Sequence, residues 1–199
     1  MPFDYTLYDD TYIGGVDSIY VGSNGWIDFT DSASAYTTDT DYPTSSSSHQ
    51  KIIAVCMDDL DTDTCYYIVT GTAPNRILTI QWHTQYWTET NYFDMEVNLY
   101  ENSTKFVIQF GDIPADSIEG HGNTIGVNEG DGIHGTQHAD LTESDDYMDI
   151  EFSHTPLAHD VGATAINSPT GTVTTAPQEV NATVYNGGTS DETNVPVRC

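Results

Sequence analysis

The sequence predicts an all-β protein: an antiparallel, jelly-roll-like β-sandwich followed by an extended β tail. Three observations predict it. Apolar and polar residues alternate in short runs, as in Phe93, Met95, Val97 and Leu99 against Tyr92, Asp94, Glu96, Asn98 and Tyr100. Such a period of two marks a strand with one buried face. Turn signals such as Ser23-Asn24-Gly25 and Ala73-Pro74 separate the runs. The chain is also rich in Thr, Asp, Tyr, Gly and Ser and poor in the helix formers Lys, Glu, Leu and Ala.

The elements follow in order. "SIYVGSNGWIDF" gives two strands about the Ser23-Asn24-Gly25 turn, and a Ser/Thr/Asp-rich loop runs from Thr30 to His49. "KIIAVCM" is a short, continuous apolar run, as expected of a central strand buried on both faces. "CYYIVTG" and "NRILTIQWHTQYW" come next, and Leu78, Ile80 and Trp82 share a face of the second. "YFDMEVNLYE" and "KFVIQFGDI" alternate cleanly, the latter through Phe106, Ile108 and Phe110. "NTIGVNEG" and "YMDIEFS" complete the set, with Met148, Ile150 and Phe152 directed inward. Many short strands joined by turns, with no convincing helix, define a sandwich.

Composition shifts near Thr155-Pro156, which divides a head, residues 1–157, from a tail, residues 158–199. All three Trp and all six Phe lie in the head, whereas Tyr185 is the one aromatic of the last forty residues. So little apolar mass predicts a tail that does not fold alone. Val180, Ala182 and Val184 alternate with Asn181, Thr183 and Tyr185, and Val195-Pro196-Val197 opens a further extended run.

Charge limits the partners. The 199 residues carry 31 Asp and Glu against four Lys and Arg, a net charge of −27. Nucleic acid is excluded as a partner, because phosphate binding needs clustered cations and none cluster here. Anionic membrane surfaces are disfavoured for the same reason, and no run approaches the roughly 18 apolar residues of a membrane span. No signal peptide is visible at Met1, so an exported chain would have lost its leader. Thirteen Tyr, six Phe and three Trp supply a core that a disordered acidic chain lacks.

"NGWIDF", "IAVCMDDLD", "YYIVTGTAPNRILTIQW" and "MEVNLYENSTKFVIQFGDI" occur in a linked order over roughly residues 18–130. In this the chain resembles the nidogen-like and adhesin-type β-sandwich domains of large secreted surface proteins. It departs from their pattern at Cys56-Met57, where an aromatic pair is usual. "HDVGATAINSPTGTV" and "NATVYNGGTSDETNVPV" resemble the opening strands of Ig-like modules related to the bacterial cell-adhesion domain. The head-plus-tail plan also resembles the subunits of some extracellular fibrils. The resemblance implies an extracellular or cell-surface protein and no catalysis.

Several constellations are candidates for chemistry. Asp58, Asp59, Asp61 and Asp63 in "CMDDLDTDTC" offer hard oxygen ligands suited to Ca²⁺, the one cofactor the sequence suggests, although no EF-hand spacing is present. The alternative is a solvated hairpin turn. Cys56 and Cys65 bracket the run and would form a disulfide in an oxidising compartment, or remain reduced thiols. Asp94, Glu96 and Glu101 invite a glycosidase reading, but Asp94 and Glu96 lie opposite the apolar stripe, as on a wet face. His134 and His138, with His121 nearby, sit in Gly-rich sequence without a readable metal shell. The run Ser45 to Ser48 reads as a flexible tip. Asn102 and Asn181 each open an N-glycosylation sequon.

The expectation is a self-associating structural subunit of an extracellular filament. Its tail would donate strands to neighbouring copies through Val161, Ala163, Ala165, Ile166 and Val173, then Val180, Ala182 and Val184, and last Val195 and Val197. The alternative is a glycan- or ligand-binding module of a larger adhesin of which this is a fragment. That reading expects exposed aromatics, such as Tyr86, Trp87 or Tyr92, around a pocket.

Overall fold

The computed structural model describes residues 1–34, 36–113, 122–141, 146–153, 161–169, 179–186 and 190–193. The chain divides into two compact units, Met1–Ser153 and His154–Cys199. No α-helix occurs among the described residues.

The first unit is an antiparallel β-sandwich. A short hairpin, β1 (Tyr5–Leu7) and β2 (Asp10–Tyr12), precedes it. One sheet holds β3 (Tyr20–Gly22), β4 (Trp26–Asp28), β5 (Ile52–Met57), β10 (Thr124–Asn128) and β11 (Gly135–His138), in the order β11-β10-β5-β4-β3. The other holds β6 (Leu60–Thr70), β7 (Ile77–Tyr86), β8 (Phe93–Tyr100), β9 (Phe106–Phe110) and β12 (Asp149–Phe152), in the order β12-β9-β8-β7-β6.

The alternating residues do what their spacing dictates. Leu78, Ile80 and Trp82 of β7, the four apolar residues of β8, and Phe106, Ile108 and Phe110 of β9 are buried against Ile27, Ile53, Val55 and Ile125 of the opposite sheet. Met148, Ile150 and Phe152 pack on this core, Phe152 stacking on Phe106 with centroids 4.8 Å apart. All six residues of β5 are buried. Ile53 and Val55 serve the inner core, while Ile52, Ala54 and Met57 join Trp26 and Tyr42 in a second cluster on the outer face. The Ser23-Asn24-Gly25 turn needs its glycine: Gly25 has φ +76°, and a Cβ there would meet the Cys56 carbonyl oxygen at 2.5 Å.

The Thr30–His49 loop is fastened rather than loose. The buried Asp28 carboxylate accepts from the backbone N–H of Thr30 (2.7 Å) and Ala33 (2.6 Å) and from the Thr30 and Ser32 hydroxyls. Asn128, also buried, donates to the carbonyls of Thr44 and His49 and accepts from the N–H of Thr44. The expected flexible serine tip is instead organised around His49, whose Nδ1 lies within 3.2 Å of the Ser46 and Ser48 hydroxyls.

The second unit contains a hairpin of β13 (Val161–Ser168) and β14 (Asn181–Asn186), with Val161 opposite Asn186 and Ser168 opposite Asn181. The backbones of Ala163, Ala165 and Ile166 lie in β13, which pairs with β14, so these two tail strands are not left single. Val173, Val195, Val197 and the expected boundary at residues 157 and 158 lie outside the described residues.

Candidate functional site

The sandwich is open along one edge. β6 is eleven residues long and outermost in its sheet, and its outer edge has no partner strand among the described residues. Cys65, Tyr67 and Val69 pair with Trp82, Ile80 and Leu78, so they point toward the inner face. The facing sheet ends at β3, only three residues long, and leaves them uncovered. A cleft of about 470 Å³ results, bordered by Met1 and Pro2 of the N-terminal segment, by Ile19 and Val21, by Cys65, Tyr66, Tyr67 and Val69 of β6, and by Leu78 and Ile80 of β7. On the outer side of the strand Tyr66 and Ile68 are also exposed; Tyr67 is 79 % and Ile68 58 % accessible.

Edge strands are normally protected by charge, proline or a bulge. The first half of β6 has such protection in Asp61, Asp63 and a register shift between Thr62 and Thr64. The second half, Cys65 to Thr70, has no charge and no proline. Its outer backbone edge, which has no partner strand among the described residues, lies beside an apolar cleft.

The candidate residues from the sequence fall elsewhere, or only partly here. Asp58 and Asp59 form the bend between β5 and β6, and Asp61 and Asp63 lie within β6, so the aspartate run is not a single turn. Asp61 accepts from Gln85 Nε2 at 3.1 Å. The structure does not bring the four carboxylates into one cluster. Among the described residues the group whose ligand atoms converge within 4.8 Å is Glu129, Asp131 and His134. Those atoms are engaged in ion pairs: Glu129 with Lys51 at 2.7 Å and Asp131 with His134 at 2.6 Å. His138 is in β11, and His121 lies outside the described residues.

Cys56 and Cys65 are both free thiols, so the expected bridge is not formed. The chain crosses from one sheet to the other between them. Cys56 is buried with its Sγ 3.5 Å from the Tyr86 hydroxyl, whereas Cys65 faces the open cleft. Burial pushes the Cys56 thiol up to about 12.

The carboxylates of the glycosidase reading are dispersed in side-chain pairs: Asp94 with His83, Glu96 with Asn98 and Glu101 with Arg76. Tyr86 is core, and Trp87 and Tyr92 are exposed, Tyr92 stacking on His83. Asn102 is exposed at the β8–β9 turn, and Asn181 begins β14. Val180 and Val184 are among the exposed large apolar residues. The open edge itself was not singled out in the sequence; the clue was the uncharged run "CYYIVT" beside an acidic one.

The described residues define an antiparallel β-sandwich with an exposed apolar edge strand. The family model described as NIDO related matches residues 1–186, and the chain belongs to that family. The match supports a nidogen-like domain of extracellular, adhesion type, a structural rather than enzymatic family. It runs through β13 and β14, so the hairpin is part of the matched region. Comparison with curated proteins gave no match, and comparison with solved structures gave none. No helix among the described residues is long and apolar enough to cross a membrane.

Proposed function

We propose that this chain is a self-associating extracellular module whose head accepts, at the β6 edge, a tail strand from a neighbouring copy. The observation that carries the proposal is the unprotected half of β6 beside its apolar cleft. A strand added there gains backbone hydrogen bonds, and its alternate side chains fill the space between the sheets.

Two features favour the tail as occupant. Of the 31 acidic residues, 27 precede residue 160, so the tail is the part of a second copy that approaches the head with least repulsion. β14 and its approach also carry an alternating stripe, Val180, Ala182 and Val184, with both valines exposed. β14 pairs with β13 alone among the described residues, which leaves its second edge for β6. Such head-to-tail contacts propagate when the rotation between copies does not close.

Electron microscopy and sedimentation of the full chain, I68K and V184D test this. The wild-type chain forms concentration-dependent filaments, and each variant alone is monomeric. Mixed together, the variants form capped dimers, because one retains a working tail and the other a working edge. A wild-type chain that stays monomeric at every concentration, or assemblies indifferent to both substitutions, refutes the reading.

A further inference from the structure

We infer that Asn102 is the attachment point of an N-linked glycan whose first sugar packs against the ring of Tyr100. The site is built from five consecutive residues, Tyr100-Glu101-Asn102-Ser103-Thr104, at the turn joining β8 to β9. Asn102 is exposed and holds a left-handed conformation with φ +54°, one that asparagine adopts more readily than most residues. Among the described residues its amide makes a long contact of 3.4 Å to the Pro74 carbonyl. The Ser103 hydroxyl accepts from the Lys105 N–H at 3.0 Å and fixes the turn around the sequon.

Tyr100 ends β8 two residues earlier. The Lys105 ammonium lies 4.4 Å from its ring centroid, so the ring already attracts positive charge at its electron-rich face. The C–H groups of a sugar's apolar face carry the same sign of partial charge and meet such a ring favourably. Lys105 also reaches Glu151 at 3.2 Å and keeps that partner when the sugar takes a ring face.

The second sequon is less available. Asn181 begins a paired strand, and Asn167 Nδ2 donates both to its Oδ1 at 3.2 Å and to the Thr183 hydroxyl at 2.9 Å. Asn181 is therefore held within a paired strand, whereas Asn102 lies at a turn.

The co-reactant is an oligosaccharide carried on a lipid phosphate, transferred by an enzyme that reads the Thr104 hydroxyl. Asn102 Nδ2 attacks the anomeric carbon and the N–C bond forms. The bond from that carbon to the phosphate oxygen breaks, the amide gives up one proton, and the lipid phosphate leaves. No oxidation or reduction is involved.

The test routes the full chain through the secretory pathway of an N-glycosylating host. Glycans are released enzymatically in ¹⁸O water, and peptides are mapped for the labelled aspartate that replaces each modified asparagine. Label at Asn102, lost in T104A and unchanged in N181Q, is expected. The glycosylated wild-type chain should melt about 2–4 °C above its deglycosylated form, and Y100A should abolish that difference. A secreted chain without label at Asn102, or with more label at Asn181, overturns the site. A melting difference that survives in Y100A overturns the packing on Tyr100.

Discussion

Arg76 and Glu101 clasp each other across the end of the β7–β8 pair. Arg76 Nη2 and Nε donate to the two carboxylate oxygens at 2.6 and 2.9 Å, and its backbone N–H adds a third bond at 3.0 Å. Arg76 also donates to the Pro2 carbonyl and lies over the Phe3 ring, so one of the chain's four basic side chains ties the N-terminal segment to the sandwich. The guanidinium holds the Glu101 carboxyl below its ordinary value. A depressed carboxyl contributes stability above its unfolded pKa and loses it as pH falls through the folded value. The pair should therefore contribute fully above about pH 4.5 and lose that contribution progressively as pH falls toward the lowered folded value. Thermal melts of E101Q should lie a few degrees below wild type at pH 7, and the gap should narrow as pH falls below about 4.5. R76K should recover only part of R76A's loss, because lysine cannot reproduce the fork.

His134 titrates in the opposite sense. Asp131 accepts from the N–H groups of His134 and Ile133 and from the imidazole, which holds its carboxyl at about 2. The same hydrogen bond raises the His134 pKa, with Glu129 and Asp9 acting in the same direction. A raised imidazole contributes below about 6.5 and loses that contribution as pH rises through its folded value. Nuclear magnetic resonance titration should place the His134 midpoint above 6.5, and D131N should bring it back. A midpoint unmoved by D131N would mean that the pair does not form in solution.

The two cysteines of the first unit should differ sharply toward thiol reagents. Cys56 is buried and held protonated, while Cys65 opens to the cleft, with partial desolvation raising its pKa more modestly. Peptide mapping after brief maleimide treatment of the native chain should find Cys65 labelled and Cys56 unlabelled until denaturant is added. Protection of both residues, reversed by reductant, would show the bridge the structure lacks.

Strands with a strict period were legible because one buried face dictates every second residue, as along β8. "KIIAVCM" was legible as a doubly buried strand, although only the structure shows that its outer residues meet Trp26 and Tyr42 beneath a loop. That loop read as solvated because Ser, Thr and Asp form its sequence. Its anchors, Asp28 and Asn128, lie in strands outside it and are polar residues in buried positions. Pairing of that kind is long-range and leaves no local pattern. The aspartate run spans two settings that its sequence does not separate: Asp58 and Asp59 lie in the bend before β6, and Asp61 and Asp63 are exposed residues of the strand itself. β1, β2 and β11 are three or four residues long, too short to show a period.

The proposed association through the β6 edge would have to overcome the charge of the chain. At −27 per copy, neighbouring heads repel over a Debye length of about 30 Å at 0.01 M salt, but only about 8 Å at 0.15 M. Raising NaCl across that range should strengthen self-association by about tenfold or more. Mg²⁺ or Ca²⁺ should do so at lower ionic strength, since divalent cations neutralise paired carboxylates more effectively. I68K should show no comparable salt response, because its defect is in the apolar contact and not in the long-range field. Assemblies that persist unchanged in EDTA at low ionic strength would show that the acidic heads do not come close. The contact would then have to hold the heads further apart than an edge-to-strand junction allows.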